Sequence, residues 1–254
     1  MILTDPHDPH DPPVRRISCV IPAYNEGPRI KAVLDVVAAH PLIDEIIVVD
    51  DGSSDDTAAF ASGREKVVLI SLSENGGKTR ALAAGLAQAH GTYLLLVDSD
   101  LIGLGVAELT ALILPVLDDR ADMAISLRRN APRLWHLIGI DYISGERMLR
   151  RSMIADRLAE LDALPRFGFE VWLNQICIDA AAHLAIVEWG RVDSPMKSHK
   201  YGVLQGIVAD LRMMSDLLHS AGPWQLVRQI VRMRNLRVHL VPNEVDYQEL
   251  ERPR

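Results

Sequence analysis

Leu94-Leu95-Leu96-Val97-Asp98-Ser99-Asp100 is the stretch that decides the fold of this chain. An apolar run that ends in two carboxylates one residue apart is typical of a buried strand with a metal site at its end. Because strand side chains alternate in direction, we expect Asp98 and Asp100 to leave the strand on one side and approach one ion together. Carboxylate oxygens suit Mg²⁺ or Mn²⁺, which also bind phosphate oxygens. The stretch therefore predicts a metal site that handles a diphosphate.

Strand and helix patterns alternate on both sides of this stretch. The predicted strands cover 17–22, 45–49, 67–70, 93–97, 121–126 and 184–189. The predicted helices are one that ends near residue 40, followed by 55–63, 78–89, 108–117, 147–161, 169–181, 206–220 and 224–238. This alternation indicates parallel strands joined by right-handed crossovers. We expect an α/β fold with a doubly wound, mostly parallel sheet and a ligand site at the carboxyl ends of its strands.

Composition indicates one catalytic unit. The chain has 254 residues, of which 48% are hydrophobic, and no apolar run approaches the 18 or so residues that span a bilayer. Residues 1–13 lack the pattern of a signal peptide, and 1–15 are predicted to be a disordered tail with a repeated His-Asp-Pro unit. We therefore expect a cytoplasmic protein. Cys19 and Cys177 have no paired spacing and are predicted to be buried, reduced thiols.

Charge divides unevenly between the two halves of the chain. Residues 1–127 carry 9 Lys and Arg against 19 Asp and Glu, whereas residues 128–254 carry 18 against 15. An acidic first half argues against general nucleic-acid binding. The basic second half is compatible with an anionic small molecule or lipid headgroup nearby, or with a solvated basic face.

Three more polar clusters follow predicted strands or open a predicted helix. They are Pro22-Ala23-Tyr24-Asn25-Glu26, Asp50-Asp51-Gly52-Ser53 and Asn75-Gly76-Gly77-Lys78. Together with 98–100 they resemble glycosyltransferase family 2, the GT-A fold group that includes dolichyl-phosphate mannosyltransferases. The resemblance is close over 16–130, which it implies is a Rossmann-like nucleotide-sugar-binding half. It is looser over 131–222, which would be a helical, acceptor-binding half of the same domain. It also implies that Pro22, Tyr24 and Glu26 line a nucleoside pocket.

The adjacent carboxylates at 50 and 51 are candidates for reading the base. An aspartate at a strand end can accept the imide N–H of uracil or the N–H groups of guanine, so Asp50 or Asp51 reads the base and its neighbour braces the loop. The alternative is a simple turn in which Ser54 or Asp55 caps the next helix, but that does not account for two adjacent carboxylates.

The segment 76–79 is a second candidate for donor binding. It is not a P-loop, because Leu72 stands where that motif needs glycine. Gly77 instead permits close backbone approach at a helix start, and Lys78 would reach a ribose or phosphate oxygen. With Asp98 and Ser99, these residues form the predicted donor contacts.

The DXD motif at 98–100 is the predicted catalytic metal site. It does not fit a calcium loop, because Ile102 and Leu109 replace oxygen ligands. A divalent ion, Mn²⁺ or Mg²⁺, held by Asp100 and Asp98 would stabilise the charge that builds on the β-phosphate when the sugar leaves.

The predicted acceptor half is less determined. In 167–170, Glu170 is the candidate catalytic base, or an ordinary acidic residue at a helix N-terminus. In 197–202, His199 is a candidate third metal ligand or an inert surface histidine, and Lys200 a candidate phosphate clamp. Ser144-Gly145-Glu146-Arg147 is an acceptor-binding segment or a helix start, and its arginine an anion ligand or part of a solvated face.

The segment 223–254 is predicted to be a basic amphipathic helix and tail. Its helix either contacts a membrane surface, here the inner face of the cytoplasmic membrane, or docks on the catalytic core. The resemblance, together with these residues, implies metal-dependent transfer of a sugar from a UDP- or GDP-sugar to an anionic, phosphate-bearing acceptor. The alternatives are a sugar nucleotidyltransferase and a non-catalytic nucleotide-sugar-binding module. The sugar, the stereochemistry and the oligomeric state, a homodimer included, are open.

Overall fold

The computed structural model describes residues 15–166, 168–195 and 222–238. These residues form a mixed sheet in the order β3-β2-β1-β4-β6-β5-β7. All neighbouring strands are parallel except β6, which is antiparallel to both β4 and β5. The strands are β1 (Ile17–Ala23), β2 (Glu45–Asp50), β3 (Val67–Ser71), β4 (Tyr93–Leu96), β5 (Met123–Arg128), β6 (Arg147–Arg150) and β7 (Leu184–Trp189). The mostly parallel sheet expected from the sequence is confirmed.

Helices cover both faces of the sheet. They are α1 (Gly27–Ala39), α2 (Thr57–Ala61), α3 (Lys78–Gln88), α4 (Val106–Leu117), α5 (Arg133–Ile138), α6 (Phe169–Asp179) and α7 (Pro223–Asn235). One apolar core joins α1, α2 and α4 to one face, and a second joins α3, α6 and α7 to the other. Burial on both faces explains why β1 and β4 read as continuous apolar runs. Cys19 and Cys177 are buried free thiols, as predicted.

The helix predicted over 147–161 is wrong. Its first part is the strand β6, and short 3-10 helices follow at Arg151–Met153 and Ala155–Ala163. Three of the four residues of β6 are buried, because the strand is inserted between β4 and β5 in the middle of the sheet. Tertiary pairing thus overrides a helical pattern of apolar residues. The helix predicted at 206–220 and the tail predicted at 1–15, apart from residue 15, lie outside the described residues.

No helix among the described residues has both the length and the apolar character that crossing a membrane requires.

Candidate functional site

The predicted site residues meet at one edge of the sheet. The parallel strands β1, β2 and β4 end there, with Ala23 paired to Asp50 and Val20 paired to Leu96. The antiparallel β6 begins at the same edge, because Arg147 pairs with Leu96. The segments that follow β1, β2 and β4 and the segment that precedes β6 therefore surround a common space, as expected for a doubly wound sheet.

The two aspartates after β2 have different tasks. The carboxylate of Asp51 accepts hydrogen bonds from the backbone N–H groups of Gly76 at 2.8 Å and Gly77 at 2.7 Å. It braces the loop that leads into α3. Asp50 accepts one hydrogen bond, from the Ser53 N–H at 3.1 Å, and its second oxygen has no hydrogen-bond partner among the described residues. Of the two, only Asp50 has an oxygen left for a ligand.

The loops after β1 and β2 are held together by side-chain caps. Asn25, which adopts a φ of 54°, accepts the Ser54 N–H at 2.8 Å and donates its own N–H to Ser53 Oγ at 2.9 Å. The Glu26 N–H donates to Thr57 Oγ1 at 2.8 Å. These contacts hold the two loops together at the edge of the sheet where β1 and β2 end.

Three predicted nucleoside contacts lie at the end of β1 or in the loop that follows it. Pro22 is buried within β1, and the ring of Tyr24 is 41% exposed just beyond its end. Glu26 is buried, with its Oε2 2.7 Å from Arg29. Tyr24 is therefore the member of this set with an aromatic face open to a ligand.

Lys78 joins two of the predicted site residues. Its Nζ lies 2.7 Å from Asp98 Oδ1 and 3.0 Å from Glu170 Oε1. Burial alone would lower the pKa of Lys78, but the two carboxylates outweigh it and raise that pKa. Burial likewise opposes ionisation of Asp98, yet Lys78 and Arg128 hold the pKa of Asp98 below its usual value. Both groups of this pair are charged in the folded protein.

Gly145 covers the Lys78–Asp98 pair. A Cβ at this position would lie 2.5 and 2.7 Å from the carboxylate oxygens of Asp98 and would also overlap Lys78 Nζ. Only a residue without a side chain lets the segment before β6 approach the pair so closely.

A buried polar network lies behind this pair. Glu146 Oε2 accepts hydrogen bonds from Ser126 Oγ at 2.6 Å and Ser144 Oγ at 2.8 Å. The guanidinium of Arg128 lies 3.5 Å from Glu146 and 3.4 Å from Asp141. Burial raises the pKa of both carboxyl groups, against the pull of Arg128. The network gives Asp98 a fixed polar backing.

Arg147 is neither the anion ligand nor the solvated side chain that its sequence context suggested. It is fully buried and donates to the carbonyl oxygens of Ser144 at 2.9 Å and Tyr142 at 3.3 Å and to Asn174 Oδ1 at 2.6 Å. It ties the segment before β6 to α6, the helix that carries Glu170. The run 144–147 was singled out from the sequence, but its position beside and within the central strand β6 could not be predicted from that pattern.

The predicted metal ligands are only partly within the described chain. His199 and Lys200 lie outside it. No group of three or more His, Cys, Asp or Glu side chains suited to a metal occurs in 15–166, 168–195 or 222–238. One Asp98 oxygen is in contact with Lys78 Nζ, and Asp100 lies in the turn just beyond Asp98. Ser99, between them, is buried.

Known proteins are similar to parts of this chain. The family model described as glycosyl transferase family 2 matches residues 18–161. The undecaprenyl-phosphate 4-deoxy-4-formamido-L-arabinose transferases of Yersinia pestis (strain Pestoides F) and Yersinia pseudotuberculosis serotype O:3 (strain YPIII) are each 39% identical over 98 residues. Each match covers 35% of this chain and 30% of the relative, so the chain matches less than a third of the length of these enzymes.

Solved structures match over a longer range. Glucosyl-3-phosphoglycerate synthase from Mycobacterium tuberculosis, in complex with Mn²⁺, UDP-glucose and phosphoglyceric acid, is 26% identical with a TM-score of 0.63. That match covers 82% of this chain and 80% of the synthase. The same enzyme with Mg²⁺ and UDP matches with the same identity, TM-score and coverage. With the family model covering more than half of its residues, this chain belongs to glycosyl transferase family 2.

Proposed function

We propose that this enzyme transfers a sugar from a UDP-sugar to a phosphate-bearing acceptor with the help of a divalent metal ion. The observation that carries the proposal is the convergence of Asp50, Lys78, Asp98 and Glu170 at one edge of the sheet, with Lys78 bridging the last two. UDP is favoured over GDP because the structural relative bound to a nucleotide contains UDP.

Donor binding would use the ends of β1 and β2 and the loops that follow them. Asp50 would accept the imide N–H of uracil through its second oxygen, and the exposed ring of Tyr24 would pack on the base. Asp51 would contribute indirectly, because it holds Gly76 and Gly77 close to the place of the phosphates.

Asp100 is the residue that would hold the metal ion. Asp98, with one oxygen 2.7 Å from Lys78 Nζ, would bind the same ion or the ribose of the donor. Mg²⁺ and Mn²⁺ sites of this type commonly use one or two carboxylates, with waters and substrate phosphates as the remaining ligands. The bound ion would supply charge stabilisation at the leaving diphosphate. His199 is proposed as a further ligand from its sequence context.

Lys78 and Glu170 would organise the reaction centre. Lys78 holds Asp98 and Glu170 in fixed positions, so neither carboxylate needs to reorganise when the acceptor arrives. Glu170 would take the proton of an acceptor hydroxyl, whereas an acceptor phosphate brings its own negative charge and needs no base. Lys200 is proposed as a clamp on the diphosphate.

The proposal is tested by measuring UDP release from a panel of UDP-sugars. Purified enzyme is incubated with Mn²⁺ and either a polyprenyl phosphate or 3-phosphoglycerate, and wild type is compared with Asp100→Ala. We expect acceptor-dependent UDP release that falls by about 10³-fold in the variant, the loss typical of removing one group that stabilises the leaving charge. UDP binding without release under every condition would contradict transfer and indicate a binding module. Release of UTP from the sugar nucleotide and pyrophosphate would indicate a nucleotidyltransferase.

A further inference from the structure

Helix α7 leaves a strip of apolar side chains exposed. Trp224, Val227 and Val231 are 81%, 52% and 55% exposed. Their spacings of three and four residues place them on one side of the helix. A large aromatic residue and two valines aligned on one side of a helix are unusual on a surface that contacts only water.

Arginines flank this apolar strip on both sides. On a helical projection Arg228 and Arg232 follow one border of the strip, and Arg234 lies at the other. The helix carries no acidic residue. No carboxylate in the described residues lies within ion-pair distance of these three arginines. Arg228 and Arg232 also line a cavity of about 210 Å³ between α6 and α7, together with three glutamines.

The opposite side of α7 is already docked on the core. Gln229, buried there, donates to Gln175 Oε1 at 2.7 Å and is hydrogen-bonded to the hydroxyl of Tyr142. At the end of the helix, the Leu184 N–H donates to the Leu236 carbonyl at 2.9 Å. One face of α7 therefore packs on the core, which is one of the two alternatives raised by the sequence, and the apolar strip is left over on the other face.

The contacts of α7 also give its direction. The middle of α7 lies beside Gln175, halfway along α6. The residues that end α7 lie beside the start of β7, on the side of the sheet opposite the site. Its first residues, with Trp224, therefore point toward the edge where α6 begins with Glu170.

We propose that the apolar strip and its flanking arginines dock this enzyme on an anionic membrane surface. An apolar strip with basic borders and a tryptophan at one end matches a helix that lies in the headgroup region. The three arginines would favour anionic over neutral lipid by on the order of 10²-fold. Docking itself does not depend on the reaction; that it would bring a lipid-phosphate acceptor to the site rests on the proposed function.

Vesicle sedimentation with the full chain tests the proposal. Phosphatidylcholine vesicles are compared with vesicles that also contain phosphatidylglycerol, with no donor or acceptor present. We expect binding to the anionic vesicles only, weakened by salt. The emission of Trp224, the most exposed of the four tryptophans, is expected to shift to the blue on binding.

Paired variants separate the two parts of the surface. Arg228→Gln/Arg232→Gln is expected to weaken binding by about thirty-fold, and Val227→Ser/Val231→Ser by about tenfold or more. Circular dichroism would verify that both variants are folded.

Control variants remove the same groups elsewhere. Arg16→Gln/Arg191→Gln removes two exposed arginines. Val68→Ser removes a valine that is 49% exposed on β3, the outermost strand on one side of the sheet. We expect both controls to bind vesicles as wild type does. The proposal is overturned if the full chain stays in the supernatant with both vesicle types, or if the controls lose as much binding. It is equally overturned if the valine variant changes only self-association, because a second copy would then be the occupant.

Discussion

Asp50 and Asp51 are adjacent carboxylates whose substitution should have opposite consequences. In Asp51→Asn the amide oxygen can still accept one of the N–H groups of Gly76 and Gly77, but the amide NH₂ is directed at the other. One charge-assisted hydrogen bond is lost and one buried N–H is left without a partner, which together cost about 3 kcal/mol. For a chain of this size that lowers Tm by roughly 6–12 °C.

Asp50→Asn is the matched control for stability and the test for ligand binding. Its amide oxygen keeps the hydrogen bond from the Ser53 N–H, so the loss of stability should be below about 1 kcal/mol. Its NH₂ group would then face the imide N–H of the base, and UDP binding should weaken by about tenfold or more. Scanning calorimetry gives Tm, and titration calorimetry with UDP and Mn²⁺ gives affinity.

The reasoning is refuted by the reverse pattern. If Asp50→Asn lowers Tm while Asp51→Asn loses UDP affinity with an unchanged Tm, the brace and the base reader have been interchanged.

Three further predictions concern the site and the core. Gly145→Ala should lower kcat by about tenfold or more, because the added methyl group displaces Lys78. The control Gly190→Ala should leave steady-state kinetics unchanged, because a Cβ at that position meets no atom within 4 Å. Glu170→Gln should lower kcat for a hydroxyl acceptor by about 10²-fold or more and leave UDP affinity within threefold in calorimetry; an unchanged kcat would exclude it as the base. Burial lowers the pKa of His40 from 6.5 to about 4, so the unfolded chain binds a proton that the fold excludes. Stability is therefore full above pH 6.5 and falls by about 3 kcal/mol as the pH drops to 4, and urea unfolding of His40→Gln should show a smaller change.

The strands that end at the site could be predicted because their signals are local. An apolar run followed by carboxylates marks both β2 and β4, and parallel strands bring such ends together without further information. The same logic predicted that Asp50, Lys78 and Asp98 would meet. It left open whether Asp50 or Asp51 is the brace, because that depends on the position of the loop around Gly76.

β6 could not be predicted because its partners determine it. Arg147–Arg150 has two arginines in four residues, a pattern typical of an exposed helix. It nevertheless pairs with β4, 51 to 57 residues earlier, and with β5, 22 to 26 residues earlier. Its arginine at 147 is buried because Asn174 and two carbonyl groups satisfy its donors. The Asn174 contact comes from α6, 27 residues later in the chain, and leaves no local trace in the sequence.

The direction in which the pKa of each carboxyl group shifts was also beyond the sequence. Asp98 and Glu146 have the same chemistry, but Lys78 beside Asp98 lowers its pKa, whereas burial raises that of Glu146. Lys78 Nζ lies 2.7 Å from Asp98, whereas Glu146 contacts two serine hydroxyls and Arg128.

Titration calorimetry with UDP and GDP, each with and without Mn²⁺, tests the central claim most directly when wild type is compared with Asp100→Ala. The account predicts that UDP binds wild type tightly only when Mn²⁺ is present, and that this binding collapses in the variant. Metal-independent binding, or no binding of either nucleotide by folded wild-type protein, would contradict a metal-assisted nucleotide-sugar site at this edge of the sheet.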